Sequence, residues 1–247
     1  MYLTVFLSGA LAAVGSGLGG CLGVAGRRVS RATYDTLLGF SAGVMLAAGS
    51  VALLLPAMRG GSAATVVGGL LSGAALVLLM ERLVPHVEPH FAPEISGAGK
   101  RLGLLVAIAM TLHHFPEGLS IGVAFAGQSH GLGPIIATSI GLQNVPEGLA
   151  VAVPLRAAGL SRWKSALWAF SVALSQPFAA LLGFWFSGLL RQFVPLALAA
   201  AAGAMIFVAS DQLIPECRQD PGKKAPSVGL VLGAVCVVLL SKLFQPL

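Results

Sequence analysis

Charge is scarce in this sequence. Only 10% of its 247 residues are Asp, Glu, Lys or Arg, against about 25% in a typical soluble domain, and no stretch of useful size is left to fold as one. Cysteine is scarce too. Cys21, Cys217 and Cys236 show no paired spacing and no CxxC, so they read as small apolar side chains rather than as a disulfide framework. The HExxH signature of a helical zinc hydrolase is missing. So is the strict apolar–polar alternation of a membrane β-barrel. The formal charge of +6 does not signal nucleic acid, because the basic residues fall in short loops, as membrane orientation requires.

What the chain has is apolar length. Hydrophobic residues make up 56% of it, and the mean hydropathy is +0.89. A helix needs about 20 apolar residues to cross a bilayer. Such stretches recur at about 2–25, 33–57, 64–84, 102–126, 134–157, 163–190, 195–214 and 227–244. The expected fold is all-α: a polytopic membrane protein of eight transmembrane helices, a single domain over 1–247, with the lipid bilayer as partner. The first stretch is too long for a cleaved signal peptide and lacks its basic start. Loops on one side hold Arg27, Arg28, Arg31, Arg82, Lys100, Arg101, Arg156, Arg162, Lys164, Arg218, Lys223 and Lys224; the other side holds only Arg59, Arg191 and Lys242. Lys and Arg collect in the cytoplasm, so both termini are expected outside it and the 85–101 loop inside. Short loops and compact length suggest a bacterial inner membrane.

Gly15-Ser16-Gly17-Leu18-Gly19-Gly20 formally matches GxGxxG, without the preceding strand and later acidic residue that a dinucleotide site needs. Gly15, Gly19 and Gly23, like Gly69 and Gly73, instead place small residues four apart, which lets helices approach closely in lipid.

Two hexapeptides stand out: His113-His114-Phe115-Pro116-Glu117-Gly118 in span 4 and Gln143-Asn144-Val145-Pro146-Glu147-Gly148 in span 5. Glu117 and Glu147 lie near the middle of their spans, where an ionisable group is costly and marks function. No Lys or Arg lies at that depth, so protonation or a bound cation must make them tolerable. Their neighbours favour a cation. His113 and Glu117 are i,i+4 and His114 and Glu117 are i,i+3, hence on one helix face. Gln143, Asn144 and Glu147 repeat those spacings, and consecutive spans run antiparallel, so the motifs can surround one point. Pro116 and Pro146 lack the N–H that would bond the carbonyls of Leu112 and Leu142, which frees oxygen at the same depth. Imidazole nitrogen with carboxylate and amide oxygen suits borderline divalent ions, Zn²⁺ first, with Fe²⁺, Mn²⁺ or Cd²⁺ as alternatives; it suits Mg²⁺ and Ca²⁺ poorly.

These motifs resemble those of the Zrt-, Irt-like (ZIP) metal transporter family, and the resemblance covers nearly the whole chain. Gly39-Phe40-Ser41-Ala42-Gly43, with Met45 after it, and Ala202-Gly203-Ala204-Met205-Ile206-Phe207 fit as well. The resemblance implies two inverted repeats, spans 1–3 and 6–8, around central spans 4 and 5. It implies a transport site of His113, His114, Glu117, Gln143, Asn144 and Glu147, with Met45 nearby; read alone, Met45 is packing first and a ligand second. Relatives with two adjacent metal positions commonly have Asn after the span-4 His, some have Asp where Asn144 stands, and many have Glu before the span-6 Pro. This chain has His114, Asn144 and Gln176. The implication is one well-formed position, from His113, Glu117, Gln143 and Glu147, and a second with fewer negative charges. The plain alternative is that Gln176 only satisfies carbonyls freed by Pro177.

Asp35 and Asp211, followed by His86, Glu88 and His90, would make an acidic exit path toward the cytoplasm, with interfacial solvation as the alternative. The expected function is uptake of a zinc-like ion into the cytoplasm, with protonation of Glu117 or Glu147 aiding release, no enzymatic activity and no organic cofactor. Metal–proton exchange or efflux over the same site is the alternative. An intramembrane metalloenzyme is more distant, since no separate general base stands at that depth. Metal preference, direction and coupling, use of the second position and oligomeric state, a homodimer included, are not written in the sequence.

Overall fold

The computed structural model describes residues 1–25, 30–91, 98–127, 131–157, 159–189, 191–218 and 222–244, without the side chains of 81, 83–91, 98–109 and 191. The described residues form eight long helices: α1 Tyr2–Val24, α2 Arg31–Gly60, α3 Ala63–Phe91, α4 Ala98–Ala126, α5 Leu132–Ala157, α6 Arg162–Leu189, α7 Val194–Cys217 and α8 Ala225–Phe244. No strand occurs among the described residues. Among the described residues, six helices are long and apolar enough to cross a membrane. The protein is an all-α polytopic membrane protein whose polar cargo of side chains sits on its two central helices.

Serine caps start several helices: Ser30 accepts from the N–H of Thr33, Ser62 from that of Thr65 and Ser161 from that of Lys164. Helical backbone reaches Phe91 and resumes at Ala98, across most of the segment expected as the 85–101 loop. The helix formers Leu78-Leu79-Met80-Glu81-Arg82-Leu83 carry α3 past its apolar stretch. The side chains of His86, Glu88 and His90 lie outside the described residues. Two helices widen locally, α2 over Ala48–Leu54 and α7 over Ala209–Leu213, each in a π-helical stretch. Such stretches recur at functional positions.

Glycine decides how the helices meet. A Cβ added at Gly43 would collide with the carbonyl oxygen of Leu230, and one at Gly203 with that of Leu70, so α2 on α8 and α3 on α7 touch backbone to backbone. These are one contact made twice: 43 and 203, like 70 and 230, differ by 160 residues. Gly69 and Gly229, and Gly73 and Gly233, obey the same interval at the same interfaces. The rule extends to the centre. Gly148 abuts the Ser16 carbonyl and Gly118 the Gln176 carbonyl, so the interval again carries α1 into α6 while α4 and α5 exchange roles. Accordingly α1 packs on α5 as α6 packs on α4. Repeats α1–α3 and α6–α8 are therefore inverted copies flanking α4 and α5. The GxGxxG stretch belongs to this packing: side chains at Gly15 and Gly19 would strike the carbonyls of Gly141 and Val145 on α5.

Candidate metal centre

Where α4 and α5 cross, one ligand atom each from His113, Glu117 and Glu147 lies within 4.8 Å of the others, and all three residues are buried. His113 Nε2 is 3.4 Å from Glu117 Oε1 and 3.9 Å from Glu147 Oε2, and His114 Nε2 is 3.8 Å from that same Glu147 oxygen. The helical spacing stacks each histidine over its glutamate, and the close α1–α5 and α4–α6 glycine contacts set the two motifs opposite each other. Among the described residues, five buried atoms of these motifs find no hydrogen-bond partner: His113 Nε2, His114 Nε2, Gln143 Oε1, Asn144 Oδ1 and Glu147 Oε2. Leaving a buried polar atom unpaired costs about 1–3 kcal/mol. Imidazole nitrogen, carboxylate oxygen and amide oxygen are all donor atoms that a borderline divalent cation accepts. With metal–ligand lengths of about 2.0–2.2 Å, an ion among the three converging atoms needs only small side-chain movements.

The remaining polar atoms hold this arrangement in place. Glu117 is braced on both oxygens: Gln143 Nε2 donates to Oε1 at 2.6 Å and Gln176 Nε2 to Oε2 at 2.8 Å. Asn144 Nδ2 donates in turn to Gln176 Oε1 at 2.9 Å and to the Ala12 carbonyl at 2.8 Å. A ladder of amides thus runs from α1 through α5 and α6 to α4. Glu147 is held on one oxygen only, by Ser41 Oγ donating at 2.5 Å. His113 Nδ1 lies 3.1 Å from Gln212 Oε1, and His114 Nδ1 lies 2.5 Å from the Met110 carbonyl. Pro177 deprives the Ala173 carbonyl of its usual helical donor, but the backbone N–H of Gln176 reaches that carbonyl at 3.0 Å. The Gln176 side chain is therefore left for the ladder.

Comparison with known proteins shows the family. The family model described as ZIP Zinc transporter matches residues 94–241. The zinc transporter ZupT of Corynebacterium glutamicum is 36% identical over 94% of this chain and 96% of its own length. The zinc transporter GufA of Myxococcus xanthus is 35% identical over 93% of this chain and 94% of its own, and the zinc transporter ZIPB of Bordetella bronchiseptica is 37% identical over 95% and 79%. The chain belongs to the ZIP family. It is a divalent metal transporter and not an enzyme.

In this ZIP chain hydrogen bonds and ion pairs link the six motif residues and Gln176. Met45 is 1% exposed within the apolar core cluster that also holds Met205 and Leu53, where packing alone satisfies a thioether. Asp35 is buried at the start of α2 and pairs with Arg31 at 2.8 Å. Arg31 also donates to the Glu216 carbonyl of α7 at 3.0 Å and lies over the Tyr34 ring. Asp211 is exposed. Two residues that sequence reasoning left out of the site touch it. Ser41 lies inside the Gly39–Gly43 motif, and a lone hydroxyl among glycine and alanine was the available signal. Gln212 belongs to Ser210-Asp211-Gln212, which matches a polar position of the family, but the sequence pointed to Asp211 there and not to Gln212, which lies in a π-helical stretch.

Proposed function

We propose that this chain moves Zn²⁺ into the cytoplasm through the site between α4 and α5, at the middle of the bilayer. The convergence of His113, Glu117 and Glu147 with unpaired Nε2 and Oε2 atoms carries this reading. The mixed donor set favours zinc, with Cd²⁺, Fe²⁺ and Mn²⁺ as further substrates, and the relatives named above are zinc transporters. The distribution of Lys and Arg supports an inner-membrane chain with both termini outside the cytoplasm. Inward flux follows the family resemblance. Alternate exposure of the central site to each side would perform the transport.

The test is purified protein in liposomes loaded with a zinc-sensitive dye. An inward zinc gradient should give flux in wild type that Glu147→Ala and His113→Ala abolish. Equal flux in both variants would remove these residues from the path, and zinc movement only against an opposing proton gradient, directed outward, would replace uptake with efflux.

A further inference from the structure

We infer that Gln212, on α7, holds His113 in the tautomer that carries its proton on Nδ1, so that the bare Nε2 faces Glu117 and Glu147. The inference rests on His113 being a ligand in the proposed site. Gln212 thereby positions a ligand from outside both motif helices.

Four observations support it. The Gln212 atom at 3.1 Å from Nδ1 is Oε1, and an amide oxygen can only accept, so Nδ1 must donate. Nε2 stands 3.4 Å from Glu117 Oε1 and 3.9 Å from Glu147 Oε2, longer than the usual length of about 2.7–2.9 Å for a charge-assisted N–H···O bond; a protonated Nε2 would be expected to close on one of them. The neighbouring ring is set the same way, since His114 Nδ1 points at the Met110 carbonyl, which also only accepts. Metal-binding imidazoles characteristically donate their second N–H to such an oxygen, which fixes the tautomer and the ring plane.

The two repeats supply the fourth observation. The π-helical stretch of α7 turns Gln212 toward α4 while Asp211 next to it stays exposed. The corresponding stretch of α2, Ala48–Leu54, has Ser50 as its one polar side chain, and Ser50 is exposed. By the interval of 160 residues Gln212 answers to Ala52, which has no polar side-chain atom, and the α5 residue in the place of His113 is Gln143, whose amide has no tautomer to set. The polar partner occurs only where an imidazole needs one.

The experiment is nitrogen NMR of metal-free protein in lipid nanodiscs, labelled with ¹⁵N-histidine, with His113 signals identified by their loss in His113→Asn. Wild type should show a protonated Nδ1 and a bare Nε2 on His113, with Zn²⁺ shifting Nε2. Gln212→Leu should populate the other tautomer and weaken Zn²⁺ binding by about 10–100-fold. Gln212→Glu keeps an acceptor and should restore both the tautomer and, to within a few-fold, the affinity. A proton on Nε2 in wild type would overturn the inference, as would an unchanged tautomer and affinity in Gln212→Leu. If Gln212→Leu does not fold, the wild-type and Gln212→Glu spectra still decide. Wild type that binds no Zn²⁺ would sink the transport site instead, while the metal-free spectrum independently upholds or overturns the tautomer.

Discussion

The α4 and α5 motifs occupy equivalent places in two inverted halves, yet they are chemically unequal. Their backbones are treated alike: Gly118 abuts the Gln176 carbonyl as Gly148 abuts that of Ser16. Their side chains are not. The α4 motif contributes two imidazoles, and its Glu117 is held on both oxygens by amides of Gln143 and Gln176. The α5 motif contributes two amides, and its Glu147 keeps one oxygen unpaired. Symmetry thus belongs to the scaffold, where packing requires it, and is broken where an ion must be held. Glu117 is an anchored carboxylate, and Glu147 is the one with an open valence.

The scaffold half of this comparison carries the largest expected effect. Gly118→Leu and Gly148→Leu should each abolish folded, monodisperse protein in detergent. Overpacking costs about 1–3 kcal/mol where side chains can give way, and here the obstacle is backbone on a neighbouring helix. If one variant folds normally and the other does not, the two interfaces are not equivalent.

The two glutamates test the other half. Removing one partner of a buried charge interaction costs about 3–5 kcal/mol, and 1.4 kcal/mol is tenfold in affinity. Glu117→Gln and Glu147→Gln should therefore each weaken Zn²⁺ binding by roughly 100-fold or more, as read by titration calorimetry. Their metal-free stabilities should part company. Glu147→Gln removes a buried, half-satisfied charge and should leave the melting temperature unchanged or raise it. Glu117→Gln sets an NH₂ group against one of its two amide donors and should lower it. Equal melting temperatures would erase the distinction between anchored and open carboxylate.

Gln176→Glu sharpens the contrast further. It replaces the donor to Glu117 Oε2 with a second acceptor, so two carboxylates would face each other where a hydrogen bond of 2.8 Å now stands. A second cation is the natural remedy. Bound zinc per chain, counted by mass spectrometry, should rise from one to two. A count that stays at one would mean that the amide ladder does not stand in for a second ion.

How much of this was legible beforehand follows the same division. The twin motifs, their i,i+3 and i,i+4 spacing and the absence of a compensating cation at that depth pointed to His113, Glu117, Gln143 and Glu147, because those facts are local. The repeat interval from Gly43 to Gly203 was also in the sequence, but only the packing shows that the glycines obeying it are interfacial. Gln212 was legible only as part of the polar stretch Ser210-Asp211-Gln212, from which the sequence singled out Asp211, because the stretch is π-helical and periodicity does not say which side chain turns inward. Met45 had two readings, packing first and ligand second, and it lies buried within the apolar core cluster. Gln176 had two readings, and a backbone N–H from its own residue to the Ala173 carbonyl separates them.

The smallest expected effect falls on Ser41, the one described donor to Glu147. Hydrogen bonds to charged groups contribute about 1.5–3 kcal/mol, which taken alone would cost Ser41→Ala ten- to a hundredfold. The site should give less. In the metal-bound protein the ion neutralises Glu147, so the hydroxyl mainly orients the carboxylate. In the metal-free protein its loss leaves a second unpaired oxygen, which itself strengthens the pull on an incoming cation. The two contributions oppose each other in the binding equilibrium, and a net loss of about three- to tenfold in Zn²⁺ affinity is the expected result. Ser41→Thr retains the hydroxyl and should bind as wild type does. A loss as large as that of Glu147→Gln would make Ser41 a ligand in its own right, and the open valence on α5 would then belong to a pair of residues on two helices.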